Sequence, residues 1–205
     1  MTPPATATER GTAVFAYGSL AHPESAAMTL GRSPIEVVAA TLPGWRRSFS
    51  SRRDNLRSEK RFALSDGSLP EWILSLNIDP DPEAGWGPNG VLITVDDSDL
   101  ARLDRRELRY ERADVTADVA IEPPGRACTY DRVVAYVARP ENLALEPPPG
   151  SVVLRSYVDA VELAFERLGG DALRAYGATT EPPPVEIVDA TLAGGDIPRG
   201  NPRSW

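Results

Sequence analysis

The sequence predicts one globular domain of the α+β class. Its apolar residues gather into six short segments typical of strands and two segments typical of helices. The helices do not alternate strictly with the strands, so we do not expect a doubly wound parallel sheet. With 205 residues, of which 41% are apolar and 25% are charged, the chain is long enough for one core and has the composition of a folded domain.

The six predicted strands are short apolar runs bounded by turn-forming residues. Turn residues follow the first two of them, at Gly18 and at Pro43-Gly44. The predicted strands span residues 12–17, 35–42, 72–78, 90–95, 113–121 and 128–138. Between the second and the third strand, residues 45–69 are polar and basic and receive no assignment.

Two segments carry clear helical features, and a third is short. Residues 152–168 form the stronger helix, with an apolar stripe of helical period made by Leu154, Val158, Val161, Phe165 and Leu168. Gly169-Gly170 is expected to end this helix. The second helix follows capping residues at positions 96–99 and runs to about Glu107. A short helical stretch over residues 24–30 follows Pro23.

The prolines indicate how the domain is organised. The chain has 20 of them, and they cluster in the connections between predicted elements, with no internal repeat and no interdomain linker. Residues 1–11, rich in Thr, Pro and Ala, are expected to be a disordered lead. Residues 12–180 form the predicted domain, and residues 181–205 form a proline-rich, irregular tail packed on it.

Composition excludes several kinds of site. With one histidine and one cysteine, disulfide frameworks and Cys/His zinc sites are excluded. The acids at positions 96–99 lack the glycine and the closing glutamate of a calcium loop, and the glycine motifs of common nucleotide sites are absent. We therefore expect no metal site, and we interpret these acids as helix-capping residues.

Charge and hydropathy bear on partners and location. The net charge is −8, which disfavours binding to nucleic acid or to an anionic membrane. No apolar run is long enough to span a membrane, and the N-terminus lacks the features of a secretory signal. Together with the single cysteine, this predicts a cytoplasmic protein.

One segment of this acidic chain is basic. Between Arg46 and Arg61, seven basic residues stand against Asp54 and Glu59, which gives a local charge of +5. The run is interpreted either as a solvated loop or strand edge, or as an attraction for an anionic substrate. Nucleic acid is the weakest alternative, because no ladder of aromatic residues interleaves the arginines.

The first candidate site lies where the first predicted strand ends. It consists of Tyr17, Gly18, Ser19 and Leu20. The backbone N–H groups of such a turn can converge on an anion such as a carboxylate, and the alternative is an ordinary strand-exit turn. Ser19 and His22 do not match a hydrolase triad, whose members come from distant segments. We expect His22 at the surface or in a helix cap.

The second candidate is Glu107, at the predicted end of the second helix. The helix macrodipole and burial both disfavour the charged form of a carboxylate at such a position, which suits a group that exchanges protons near neutral pH. Three neighbouring arginines, Arg105, Arg106 and Arg109, support the alternative of a solvated, salt-bridged helix end.

Taken in order, these motifs resemble the γ-glutamylcyclotransferase-like (AIG2-like) family over roughly residues 12–180. Residues 17–20 resemble its signature loop, and Gly90-Val91-Leu92 followed by Leu103-Asp104-x-x-Glu107 resembles the segment with its catalytic glutamate. A later helix carries Tyr157, and residues 42–47 and 76–78 are similar to those of bacterial members. The resemblance implies a mixed, barrel-like β-sheet with flanking helices.

The resemblance also implies cyclotransfer on a small γ-glutamyl substrate. The α-amine of the substrate attacks its own γ-carbonyl, 5-oxoproline forms, and a free amine or amino acid leaves, without a cofactor. By resemblance, Glu107 is the general base and then the general acid. Substrate contacts are implied for Tyr17 and for the backbone amides of Gly18, Ser19 and Leu20. Tyr110 and Tyr157 are candidates for pocket hydrogen bonds, or else aromatic residues of the core or rim.

Two other functions stay open at this point. One is a small-molecule binding module of the same fold without catalysis, and the other is an enzyme of specialised metabolism that removes a γ-glutamyl group. Leu108 and Tyr110 closely follow Glu107, where many family members have a glycine and a longer gap. This departure bears on the shape of the pocket and hence on the substrate. The sequence does not indicate an oligomeric state.

Overall fold

The strands form two larger sheets and a small one in the parts of the chain that the computed structural model describes, residues 11–122 and 130–194. In chain order the strands are β1 (Thr12–Ala16), β2 (Val37–Thr41), β3 (Trp45–Asp54), β4 (Arg61–Ala63), β5 (Trp72–Pro80), β6 (Asn89–Val95), β7 (Tyr110–Asp114), β8 (Ala120–Ile121), β9 (Arg132–Ala138), β10 (Ser151–Leu154), β11 (Ile187–Val188) and β12 (Thr191–Gly194). The helices are α1 (Pro23–Leu30), α2 (Asp97–Arg106), α3 (Arg155–Arg167) and α4 (Gly170–Ala178). The predicted lead over residues 1–11, apart from Gly11, and residues 195–205 of the predicted tail lie outside the described residues.

The two larger sheets are mixed, and they share one hydrophobic core with the helices. The larger sheet has the strand order β7-β9-β1-β6-β2-β8, with β1 parallel to β9 and antiparallel to β6. The second sheet has the order β11-β10-β5-β3, and β4 pairs with β12 in the small one. The predicted α+β class with a mixed sheet is confirmed, although the sheets do not close into one barrel within the described residues.

β1 runs through the centre of the core because its inner residues are apolar. Phe15 pairs with Leu92 of β6, and Val14 pairs with Val134 of β9. Gly90 permits the close approach of β6, since a Cβ atom there would lie 2.5 Å from the carbonyl oxygen of Ala16. This packing holds the end of β1 in the interior, where the Tyr-Gly-Ser-Leu loop (residues 17–20) begins.

The predicted helix caps are confirmed. The Asp96 carboxylate accepts a hydrogen bond from the N–H of Asp99 at 2.8 Å, and the reciprocal bond completes a capping box at the start of α2. His22 caps α1, where its Nδ1 accepts from the N–H of Glu24 at 3.2 Å. None of the described helices is both long and apolar enough to cross a membrane.

Five of the six predicted strands are confirmed to within a few residues, although residues 128 and 129 of the last one lie outside the described residues. The predicted strand over residues 113–121 is wrong. β7 begins earlier, at Tyr110, and ends at Asp114. The Asp114 carboxylate then accepts a hydrogen bond from the N–H of Thr116 at 3.1 Å, and the N–H of Asp118 donates to the carbonyl of Val115 at 3.0 Å. Such aspartate-centred turns interrupt a strand, and only the two-residue β8 follows.

Three other predictions are corrected. The helix over residues 152–168 begins only at Arg155, because residues 151–154 form β10, which pairs in parallel with β5. Gly169 ends this helix, but α4 starts directly at Gly170. The tail, predicted to be irregular, contains β11 and β12, which pair with β10 and β4.

Residues 45–69, which receive no assignment from the sequence, contain β3, a strand of ten residues at the edge of its sheet.

Candidate active site

A cavity of about 120 Å³ opens where the end of β1, the middle of β5, the end of α2 and the start of α3 meet. The residues predicted for the site all line it: Tyr17, Gly18, Ser19, Leu20, Glu107, Tyr110 and Tyr157. A single water molecule needs roughly a tenth of this volume. The cavity therefore has room for a small organic molecule, and segments distant in sequence converge on it.

The Tyr-Gly-Ser-Leu loop turns sharply as it leaves β1. A short 3-10 turn over Ser19–Ala21 is closed by a hydrogen bond from the N–H of Ala21 to the carbonyl of Gly18, at 2.9 Å. Among the described residues, no acceptor is bonded to the N–H groups of Ser19 and Leu20. These two amides can therefore bind an anionic group within the cavity.

Glu107 caps the C-terminal end of α2. Its N–H donates to the carbonyl of Leu103 at 2.8 Å, and its own carbonyl accepts from the N–H of Tyr110 at 2.9 Å. The side chain lies on the cavity and is 11% exposed. A carboxylate held in this way can take a proton from a bound substrate and return it to another atom of that substrate.

Arg106 joins Glu107 to the Tyr-Gly-Ser-Leu loop. Its Nε lies 2.9 Å from Oε1 of Glu107, its Nη2 donates to Oγ of Ser19 at 3.3 Å, and its Nη1 donates to Oγ of Ser25 at 3.1 Å. The helix end is salt-bridged, as one of the two interpretations of the sequence predicted. The Arg106–Glu107 pair is buried, however, and not solvated as that interpretation expected. Arg105 is exposed.

The tyrosine hydroxyls of the cavity bind backbone atoms of the sheets. Tyr110 donates to the carbonyl of Leu76 at 2.8 Å, and the Tyr157 hydroxyl accepts from the N–H of Leu76 at 3.1 Å. Tyr17 donates to the carbonyl of Tyr136 at 2.6 Å, and burial raises its pKa well above the usual value. Tyr17 thus stays protonated, and its hydroxyl anchors the loop to β9.

The opposite end of the cavity consists of residues that the sequence did not single out. Arg53 of β3 lies with its guanidinium carbon 5.2 Å from the ring centroid of Phe62, and both line the cavity together with Ile73 and Leu154. The sequence pointed to this end of the cavity only through the basic run over residues 46–61, which contains Arg53. That run suggested an anionic substrate without indicating which arginine would face it.

Arg47 lies beneath the loop and is fully buried. Its guanidinium donates to the carbonyl oxygens of Tyr17 and Asn89, at 3.0 and 2.7 Å, and to Oγ1 of Thr180 at 2.7 Å. It also stacks 4.5 Å from the ring centroid of Tyr176. Burial lowers the pKa of Arg47 to about 9, so the side chain stays charged at neutral pH and holds the chain just before Gly18.

A second ion pair stands at the cavity rim. Arg109 donates two hydrogen bonds to the Glu59 carboxylate, at 3.2 and 2.6 Å. Burial acts to raise the pKa of Glu59, but the hydrogen bonds and the charge of Arg109 outweigh it, so that the pKa falls below its ordinary value of 4.5. The stability that this pair contributes is therefore present above pH 4.5 and is lost as the pH falls through the folded-state pKa.

Glu59→Gln is accordingly expected to lower the free energy of unfolding at pH 7 by about 0.5–1 kcal/mol, since the pair is partly solvated. The difference between the two proteins should shrink as the pH is lowered below 4.5, where the native carboxylate takes up a proton. Urea unfolding of both proteins over a pH series measures this. A difference that stays constant down to the acid transition would contradict the assignment to this ion pair.

The chain's histidine is not among the residues that line the cavity. His22 is used in the cap of α1, and Cys128 lies outside the described residues. In the two described parts of the chain, no three histidine, cysteine, aspartate or glutamate side chains come together as a metal site. The cavity instead offers a carboxylate, backbone amides, hydroxyl groups and guanidinium groups, which suffice for proton transfer and anion binding.

A family model described as "Gamma-glutamyl cyclotransferase, AIG2-like" matches residues 14–152, about two thirds of the chain. The matched range includes the Tyr-Gly-Ser-Leu loop and Glu107, and it ends before Tyr157 and β12. No curated protein sequence matches the chain.

Several solved structures share the fold at low sequence identity. A structure titled "Gamma-glutamyl cyclotransferase" is 18% identical with a TM-score of 0.54, covering 84% of this chain and 89% of the other. An uncharacterized protein from Homo sapiens is also 18% identical, with a TM-score of 0.56 and the same coverage. A yeast γ-glutamyl cyclotransferase described as specific to glutathione is 13% identical with a TM-score of 0.51, covering 84% of this chain and 98% of the other.

Proposed function

Because the chain belongs to the γ-glutamyl cyclotransferase, AIG2-like family, we propose that it releases 5-oxoproline and a free amine or amino acid from a small γ-glutamyl substrate. The observation that carries this proposal is the convergence of Glu107 and the Tyr-Gly-Ser-Leu loop on one cavity. The net charge of −8 disfavours nucleic acid as a partner, and a cytoplasmic location stays a prediction of the sequence.

The reaction needs one group that moves protons. Glu107 takes a proton from the α-ammonium of the substrate, and the freed amine attacks the γ-carbonyl carbon of the same molecule. A new C–N bond closes the five-membered ring, and the bond to the leaving nitrogen breaks. Glu107 returns its proton to that nitrogen. It then carries a second proton from the ring nitrogen to the departing amine, so that the ring becomes a neutral lactam, the amine leaves as an ammonium group and no other reactant is consumed.

Arg106 supports this role because it fixes the position of the Glu107 carboxylate. Its Nε lies 2.9 Å from Oε1 of Glu107, so the carboxylate is held in place on the cavity. Arg106 also bonds to Ser19, which keeps the carboxylate and the loop at a fixed separation. It acts on Glu107 and the loop, and we assign it as a positioning residue.

The loop supports the binding of the glutamyl end. The N–H groups of Ser19 and Leu20 can hold the α-carboxylate of the substrate, as backbone amides at such turns do for anions. Fixing the α-carbon in this way turns the α-amine toward the γ-carbonyl. Orientation of two groups within one molecule can supply a large share of the rate acceleration.

A test is to incubate the purified full-length chain with a panel of γ-glutamyl amines, amino acids and peptides and to quantify the products by mass spectrometry. We expect multiple turnovers that yield 5-oxoproline and the free amine or amino acid in equal amounts. Release of glutamate in place of 5-oxoproline would indicate attack by water and would contradict the proposal. Thermal stabilisation by the panel without any product would favour a non-catalytic binding module.

A further inference from the structure

Helix α1 follows the Tyr-Gly-Ser-Leu loop directly. The 3-10 turn over Ser19–Ala21 ends at His22, and His22 caps α1. α1 also packs against α2, whose end carries Glu107. The loop amides and the Glu107 carboxylate therefore belong to two helical units, and the contact between these units sets the distance between the two halves of the site.

Arg106 connects the two units. Its side chain is 4% exposed, and its Nε lies 2.9 Å from Oε1 of Glu107. Its Nη2 donates to Oγ of Ser19 in the loop at 3.3 Å. A guanidinium group is planar and rigid, so its N–H groups point in fixed directions relative to one another. The group that holds the remaining nitrogen, Nη1, therefore also helps to set the directions of Nε and Nη2.

α1 supplies the acceptors for Nη1 of Arg106. This nitrogen donates to Oγ1 of Thr29, and it also donates to Oγ of Ser25 at 3.1 Å. The Thr29 hydroxyl gives its one hydrogen to the carbonyl of Ser25 at 2.8 Å, so the lone pairs of its oxygen face Arg106 as acceptors. Thr29 is 1% exposed, so bulk water does not compete for this hydrogen bond.

From these contacts we propose that Thr29 is a positioning residue of the reaction. Through Arg106 it fixes the distance between the Glu107 carboxylate and the loop. Thr29 itself is not among the residues that line the cavity, so it acts only through its neighbours.

This inference rests on the proposed function, in which the substrate prescribes that distance. The α-carboxylate lies on the amides of Ser19 and Leu20, and the α-ammonium must reach Glu107. Both groups are bonded to the same carbon atom of the substrate, so a shift of Glu107 relative to the loop cannot be absorbed by the substrate. A misplacement of about 1 Å can cost about 10²-fold in rate.

Thr29→Val keeps the size and the branching of the side chain but lacks the hydroxyl. It is expected to lower kcat for 5-oxoproline release by about 10–100-fold, because Arg106 loses an acceptor and the Glu107 carboxylate loses its fixed position. KM should stay within about threefold, because Tyr17 and Arg47 still anchor the loop. Steady-state kinetics on the best γ-glutamyl substrate of the panel separate kcat from KM.

Thr29→Ser tests whether the hydroxyl is the group that matters. Serine restores a donor and an acceptor at the same place on α1, so this variant should keep kcat within about threefold of the native value. An equal loss of kcat in Thr29→Val and Thr29→Ser would assign the effect to packing of the γ-methyl group and would overturn the proposal.

A double-mutant cycle with Glu107→Gln tests whether Thr29 acts through the carboxylate. In the Glu107→Gln background the base is already lost, so Thr29→Val should lower the residual kcat by less than about threefold. A contribution of Thr29 to stability alone would lower kcat by the same factor in both backgrounds. That result would overturn the positioning role.

Thr94→Val is the matched control. Thr94 is an exposed threonine of β6 outside the cavity lining, and the same change there should leave kcat within about twofold of the native value. Thermal unfolding of each variant reports whether it is folded. Thr29→Ala also lacks the hydroxyl but brings no γ-methyl group against the guanidinium. It should lose kcat as Thr29→Val does, and it replaces that variant if valine prevents folding.

The outcomes separate the two proposals. A native kcat in Thr29→Val would overturn the role of Thr29 and leave the cyclotransferase proposal standing. Absence of 5-oxoproline from every γ-glutamyl compound with the native protein would overturn the proposed function, and this inference with it.

Discussion

Glu107→Gln is expected to lower kcat/KM for 5-oxoproline release by about 10²–10⁴-fold, the usual contribution of a general acid–base group. Glutamine keeps the size and shape of the side chain but cannot take the proton of the α-ammonium. The cavity and the loop are unchanged, so a slow residual reaction through orientation alone should persist. Steady-state release of 5-oxoproline, quantified by mass spectrometry, measures the effect.

The matched control for this variant is Glu111→Gln. Glu111 lies four positions further along the chain, on β7, where it is exposed and does not line the cavity. The same change of chemistry there should leave kcat/KM within about twofold of the native value. If the two variants behave alike, Glu107 is not the base.

Loss of folding would not explain the loss of activity expected for Glu107→Gln. The amide oxygen of a glutamine at position 107 can still accept a hydrogen bond from Arg106, and Arg106 keeps its bonds to Ser19 and Ser25. The N–H of the residue would still donate to Leu103 at the helix end. The melting temperature should therefore change by only a few degrees, and thermal unfolding beside the assay distinguishes chemistry from stability.

The site residues that the sequence could indicate are those with a local pattern. The Tyr-Gly-Ser-Leu loop is a turn at the end of an apolar strand, and Glu107 ends a helix whose start is marked by the cap at Asp96. Arg53 and Phe62 had no such pattern. They face the cavity because β3 pairs with β5 and β4 pairs with β12, and pairings between distant segments are not encoded in any short stretch.

The errors in the predicted fold also arise from contacts between segments that are distant in sequence. Residues 152–154 fit the period of the following helix, but a parallel pairing with β5 makes them a strand. β3 is rich in arginine and serine, residues that sequence-based interpretation places in solvent, yet tertiary contacts bury Arg47 and Ser51 within it. At these positions, tertiary contacts override the local preferences of the residues. Arg47, a charged residue that is fully buried, shows this most clearly.

Arg47→Ala is expected to lower the free energy of unfolding by about 3–5 kcal/mol. The substitution empties a site that is fully buried, and it removes the donor that satisfies the carbonyl oxygens of Tyr17 and Asn89. Urea unfolding at neutral pH measures the change. Arg46→Ala, at the adjacent position with a side chain 33% exposed, is the control and should cost about 1 kcal/mol or less.

Arg47→Met separates the two contributions, because methionine fills most of the volume but donates no hydrogen bond. Burial opposes the charge of Arg47, as its lowered pKa shows, but Arg47→Met leaves the carbonyl oxygens of Tyr17 and Asn89 without this donor. The methionine variant should therefore be less stable than the native protein yet more stable than the alanine variant. An Arg47→Met variant that is as stable as the native protein would contradict this explanation.

Arg47 also holds the carbonyl of Tyr17. The folded molecules of both Arg47 variants should therefore show a raised KM, because the amides of Ser19 and Leu20 lose their fixed position.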